Sequence, residues 1–172
     1  MKIAEHVYKI KGDGNVYVIL KPEPIVIDAG DAVDGLYIKT EIEKIIPVED
    51  IKKVLLTHLH YDHAGNVEMF PNATVYASED SIENYRKSPK DFFFHDISAK
   101  GDEILRNAKA LGDEVAGLKV LKVPGHTRGS IAYLDEGRGL LFSGDTVFDN
   151  NVGRIDLPNS LPDDMNGSVE VL

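Results

Sequence analysis

The sequence predicts an α+β fold, with two sheets covered by helices. Three observations predict it. Short apolar runs with period-two alternation recur along the chain. Stretches with apolar residues at helical spacing lie between them. Pro, Gly and Asp punctuate the joins. The length of 172 residues fits one domain. No linker, low-complexity tract or short-period repeat interrupts it, so residues 1–172 are expected to form a single unit.

The first thirty residues read as strands. Val7 and Ile10, then Val16, Val18 and Leu20, give the period-two pattern of half-buried strands, and Lys11-Gly12-Asp13-Gly14-Asn15 between them is turn chemistry. Ile25-Val26-Ile27 is a strand that stops at Asp28-Ala29-Gly30. Residues 34–46 place Leu36, Ile38, Ile42, Ile45 and Ile46 on one helical face, and Pro47 ends that helix. A strand follows over 51–57, then a short helix over 63–70 closed by Pro71, a strand over 74–77 and a helix over 79–87. The run Asp91-Phe92-Phe93-Phe94-His95 reads either as core or as the underside of a loop over a site. Strands return at 118–123, 131–134 and 140–142, and a helix starts near Asp163-Asp164.

Charge narrows the partners. Twenty-nine acidic against nineteen basic residues give a formal net charge of −10. Such a surface repels phosphate backbones, so nucleic acid is not an expected partner. No apolar stretch approaches the ~20 residues of a membrane span, and Met1-Lys2-Ile3-Ala4-Glu5-His6 lacks the apolar core of a signal peptide. With no cysteine in the sequence, thiolate catalysis and cysteine-built metal clusters are excluded, and a cytoplasmic setting is expected.

The histidines carry the chemistry. Of six, three fall in Thr57-His58-Leu59-His60-Tyr61-Asp62-His63, directly after an apolar run. In extended chain His58 and His60 point to one side and Leu59 to the other. One short segment therefore presents three imidazoles and a carboxylate at a sheet edge. Imidazole and carboxylate are the ligands of zinc and of non-haem iron or manganese. Gly125-His126-Thr127 and Gly144-Asp145-Thr146 each put a further ligand-type residue just past a strand end. Together they gather His58, His60, Asp62, His63, His126 and Asp145, enough for two metals.

These segments resemble the metallo-β-lactamase superfamily. Thr57-His58-Leu59-His60-Tyr61-Asp62-His63-Ala64-Gly65 is similar to its signature motif. Ile27-Asp28-Ala29-Gly30, Pro124-Gly125-His126-Thr127 and Ser143-Gly144-Asp145-Thr146 match its other motifs in order. The resemblance spans about residue 7 to residue 158. It implies a four-layer α/β/β/α sandwich of two mixed sheets with the metals at one edge. By position, it implies that His58, His60 and His126 hold a first metal. Asp62 and His63 would hold a second, and Asp145 would bridge the two. Asp28 would orient a ligand imidazole, unless it is simply a turn residue. Up to two zinc ions are implied, with iron or manganese as the other metals such ligands accept. A metal-bound hydroxide would then attack an ester, thioester or amide carbon, with Asp62 orienting it.

The sequence departs from the family in two places. The family supplies one more histidine near its C-terminus, and none follows His126 here. The chain ends at Leu172, where a further helix, a strand with that histidine and a last helix are expected, so it reads as C-terminally incomplete. Arg128 stands where the family often has Pro and could draw a substrate carboxylate. Gly153-Arg154-Ile155-Asp156-Leu157-Pro158 is similar to the glyoxalase II-like (hydroxyacylglutathione hydrolase-like) enzymes and to the persulfide dioxygenases. Arg154 is read either as a contact for an anionic substrate or as half of a surface ion pair. Three readings follow. The first is a zinc hydrolase of small-molecule thioesters or esters, of the S-acylglutathione type. The second is a mono-iron persulfide dioxygenase using His58, His126 and Asp145. The third is a non-catalytic metal-binding domain. Oligomeric state is not legible.

Overall fold

The computed structural model describes residues 1–93 and 97–172. Phe94 and His95, part of the aromatic run read either way above, lie outside the described residues.

The strands are β1 (Lys2–Ala4), β2 (Val7–Ile10), β3 (Val16–Ile19), β4 (Ile25–Ile27), β5 (Lys53–Leu55), β6 (Thr74–Ala77), β7 (Lys109–Ala110), β8 (Glu114–Val115), β9 (Leu118–Lys122), β10 (Ile131–Asp135) and β11 (Leu140–Phe142). The helices are α1 (Gly35–Glu43), α2 (Tyr61–Ala64), α3 (Glu79–Lys87), α4 (Ala99–Arg106) and α5 (Met165–Val171). One sheet has seven strands in the order β1-β2-β3-β4-β5-β6-β7, and the other has four in the order β11-β10-β9-β8.

Of the two mixed sheets expected, the first is mixed. It is antiparallel from β1 to β4 and parallel from β4 to β7. Each parallel pair needs a crossover, and the helices α1 to α4 supply them. The second sheet pairs antiparallel along all four of its strands. Short links force this: β8 turns into β9 over Ala116-Gly117, both at positive φ, which suits a tight hairpin.

Alternation along the strands fills two apolar layers. Val18, Val26, Val54 and Val75 face the helices, where they pack with Ile38, Ile42, Ile82, Tyr85 and Leu105. Ile19, Ile25, Ile27 and Leu55 face the second sheet, where they meet Leu118, Ile131, Tyr133 and Phe142. This double burial explains why β4 reads as an unbroken apolar run. The Tyr133 hydroxyl crosses between sheets and donates to the Leu56 carbonyl at 2.9 Å.

Besides the short strands β1, β7 and β8, which the sequence did not mark, three elements differ from the expectation. The strand expected over 51–57 is regular only for Lys53–Leu55. At Thr57 the backbone leaves its ladder: its N–H donates to the Asp28 carboxylate at 2.8 Å, and its carbonyl accepts from Ile131 at 3.0 Å. The helix expected over 63–70 begins earlier, as α2, and a 3₁₀ turn at Val67–Met69 follows it. The break falls at Asn66, whose side chain instead holds the Ala29 and Asp31 carbonyls at 3.0 and 2.5 Å. Helix α4 was not legible, because it carries few apolar residues. Its signal was Ser98, whose hydroxyl caps the Gly101 N–H at 2.9 Å.

No helix among the described residues is long and apolar enough to cross a membrane.

Candidate metal centre

The site lies past the C-terminal ends of β4 and β5, where they face the loops after β9 and β11. His58, His60 and His63 are buried, at 1%, 6% and 3% exposure, and so is His126 at 3%. The ligand atoms of His58, His60 and His126 lie within 4.8 Å of one another, and so do those of His58, His63 and Asp145. His60 Nδ1 and His126 Nε2 face each other at 2.9 Å. Asp145 reaches both groups: Oδ1 is 3.1 Å from His63 Nε2, and Oδ2 is 3.6 Å from His126 Nε2. Asp62 stands at the margin, with Oδ2 3.4 Å from His63 Nε2. All six residues that the sequence singled out as ligands are therefore brought together.

Hydrogen bonds fix which ring nitrogens are free. His63 Nδ1 donates to Asp28 Oδ2 at 2.7 Å. The Thr57 hydroxyl donates to the same carboxylate oxygen at 2.9 Å, so it accepts from His58 Nδ1 at 3.1 Å. His126 Nδ1 donates to the Arg154 carbonyl at 2.7 Å. In these tautomers Nε2 of His58 and His126 carries a lone pair, and Asp28 turns His63 so that its Nε2 faces Asp145. Nε2 of His58, His60 and His63 is buried without a hydrogen-bond partner.

Electrostatics follow from burial. Burial, then neighbouring His63, His60 and His126, push the His58 pKa well below the usual histidine value. Burial, with His126 and His63, lowers His60 to about 3. Burial lowers His126 too, against the pull of Asp145. These rings are neutral near pH 7 and need lose no proton to bind a cation. Burial opposes charge on His63 as well, but Asp28 and Asp145 outweigh it and hold its pKa well above the usual value. For Asp145, burial is outweighed by His63, His126 and His60, and its pKa falls. Burial raises Asp62 to about 6, with His63 opposing.

This donor set fits a metal. Unpartnered imidazole nitrogens of His58 and His60 are buried together beside the Asp145 and Asp62 carboxylates, a mixed set of neutral and anionic donors that suits a cation. The sequence model of the metallo-beta-lactamase superfamily matches residues 10–172. The chain belongs to this superfamily.

Among its relatives, a probable metallo-hydrolase of Streptococcus pyogenes serotype M6 is 29% identical, over 96% of this chain and 75% of its own length. A hydroxyacylglutathione hydrolase of a Synechococcus strain is 32% identical over 93% of this chain and 58% of its own. That of Methylobacillus flagellatus is 38% identical over 76% and 46%. The chain thus spans about half the length of these hydroxyacylglutathione hydrolases. Among solved structures, TTHA1623 in a di-iron-bound form aligns with a TM-score of 0.73 at 26% identity, over 96% of this chain and 84% of that one. The family protein TTHA1429 of Thermus thermophilus aligns at 0.77 and 23% identity, over 99% and 70%. The latter speaks to fold alone.

The cluster opens into a groove of about 860 Å³ lined by Asp62, His63 and Asp145, with Lys9, Tyr17 and Phe148 further out. Gly144 makes the closure possible. It sits at φ 53°, and a Cβ there would lie 2.6 Å from Thr57 Oγ1. Asp28, at φ 59°, turns its carboxylate back to hold Thr57 and His63. Arg128 is elsewhere. It lines a separate cleft with Ser78, Asp113 and Lys122. The Arg154 side chain pairs with Asp156 at 2.9 Å on the surface. It is the Arg154 carbonyl that touches the site. Sequence reasoning missed that carbonyl, the Thr57 hydroxyl and Asn66. Thr57 and Asn66 flank the histidine segment, and that position was the available signal; both are buried.

Proposed function

We propose that this chain is a metal-dependent hydrolase of small-molecule thioesters, of the S-acylglutathione type, working with zinc in the cytoplasm. The observation that carries the proposal is the pair of converging ligand groups with unpartnered buried imidazole nitrogens. The hydroxyacylglutathione hydrolases among the relatives support the substrate class.

In this reading His58, His60 and His126 hold one metal. Asp62 and His63 would hold the other, and Asp145, which has one oxygen toward each group, would be within reach of both. When bound, such metals polarise a carbonyl and lower the pKa of a water to ~7. The protein does the rest. Asp28 holds His63 with its Nε2 toward Asp145, and Arg154 holds His126 in the tautomer that exposes Nε2. Asp62, with 18% of its side-chain surface open to the groove, would orient water beside a substrate carbonyl. The groove beside it is open enough for the acyl and thiol portions of a small thioester.

The test is hydrolysis of S-lactoylglutathione and simpler acyl thioesters by zinc-loaded chain, followed at the thioester absorbance. Turnover that disappears on chelation and returns with zinc is the expected result. Zinc-loaded chain that cleaves no thioester overturns the reading.

A further inference from the structure

The loop that carries His126 is held from outside by a stretch that supplies no ligand side chain. The Arg154 carbonyl accepts from His126 Nδ1 at 2.7 Å, and the Ser160 hydroxyl donates to the His126 carbonyl at 2.8 Å. Leu161 N–H donates to the Gly125 carbonyl and Arg128 N–H to the Asn159 carbonyl, both at 2.8 Å. Ring and backbone of His126 are thus both gripped by residues 154–161.

The same stretch is tied to Asp145. Just after that residue the chain closes a small hairpin. Val147 bridges Val152, Phe148 N–H donates to the Asn151 carbonyl at 2.8 Å, and Gly153 N–H to the Thr146 carbonyl at 3.4 Å. The returning strand passes between Asp145 and His126 at Gly153. A Cβ there would overlap the Asp145 carbonyl oxygen and lie 3.2 Å from His126 Nδ1. Backbone on one side and a ligand ring on the other leave no room for a side chain.

We infer that residues 153–161 form a positioning clasp that sets His126 and Asp145 as one unit, through backbone groups rather than side chains. A carbonyl can only accept, so Arg154 fixes the His126 proton on Nδ1 and leaves Nε2 free to ligate. Gly153 is the position that lets the clasp close. This role rests on the proposed metal site, and the experiment separates the two.

Two-bond proton–nitrogen correlation spectra of the metal-free chain read the His126 tautomer directly, and competition with a chromophoric chelator reads zinc affinity. The expected result is His126 protonated on Nδ1. Gly153→Ala is expected to mix the tautomers and weaken zinc binding about 10–100-fold, the usual cost of losing a partner behind a ligand. Arg154→Ala keeps the carbonyl and is expected to stay within about twofold of the parent, since an exposed ion pair contributes little. Wild-type chain that takes up zinc with His126 protonated on Nε2 overturns the clasp alone, whatever the folding of the variants. So does Arg154→Ala if it weakens zinc as much as Gly153→Ala. Wild-type chain that takes up no zinc overturns the metal site and the clasp together.

Discussion

The two halves of the site are built differently. His58, His60 and His126 form a buried, uncharged half, with rings 4.7–4.8 Å apart, set edge to face. Asp62, His63 and Asp145 form a charged half, whose carboxylates keep 18% and 22% of their side-chain surface open to the groove. Burial does opposite work in the two. It keeps the imidazoles neutral and fixed, ready to grip a cation. On the open side it only raises Asp62 to about 6, while the carboxylates remain within reach of solvent and substrate. The buried half is suited to holding, and the open half to chemistry.

The comparison can be broken most severely at His58, whose ring belongs to both ligand groups. Losing a partner behind a ligand already costs ~10–100-fold in affinity, so loss of the ligand itself in His58→Ala is expected to exceed that. Elemental analysis after dialysis checks it.

Next in size is Asp28→Asn. An amide cannot accept from His63 Nδ1, the Thr57 N–H and the Thr57 hydroxyl as a carboxylate does, and His63 loses its orientation. Zinc affinity is expected to fall ~10–100-fold in a chelator competition.

Asp62→Asn sharpens the contrast between holding and chemistry. The folded chain binds the Asp62 proton more tightly than the unfolded chain, since its pKa rises from 3.8 to about 6. Charged Asp62 therefore burdens the folded, metal-free state above that pH, and the burden lifts as pH falls toward the unfolded value. Asp62→Asn is expected to raise the melting temperature of metal-free chain at about pH 7.5, and much less at about pH 4. Thioester turnover of the loaded chain is expected to fall ~100-fold or more. Calorimetry at the two pH values and a rate assay check the pair.

The smallest effect belongs to Arg128→Ala. Its cleft lies apart from the groove, so kcat and KM are expected to stay within about twofold of the parent in the same assay.

Much of this was legible because the chemistry is written in contiguous side chains. His58, His60, Asp62 and His63 follow one strand end, and period-two geometry alone puts Leu59 in the core and the first two histidines together. Strands rich in apolar residues, such as β3 and β10, were equally readable. Backbone chemistry was not. The Arg154 carbonyl on His126 has no residue signature, and the Arg154 side chain points the reader toward a surface ion pair. Short exposed strands were lost for a related reason. Lys109–Ala110 and Glu114–Val115 have two residues each and little to bury, so no pattern marks them. Arg128 misled because adjacency to His126 in sequence is not adjacency in space: past the ligand the chain turns, and its side chain leaves for another cleft.

The central claim is that the His–Asp cluster is a metal centre with His58 at its heart. The most direct test is metal per chain by elemental mass spectrometry, on wild type and His58→Ala purified side by side without chelator. Metal retained by wild type and absent from His58→Ala is the predicted result. Wild type that carries none after zinc loading, or His58→Ala that retains as much as wild type, would contradict the account.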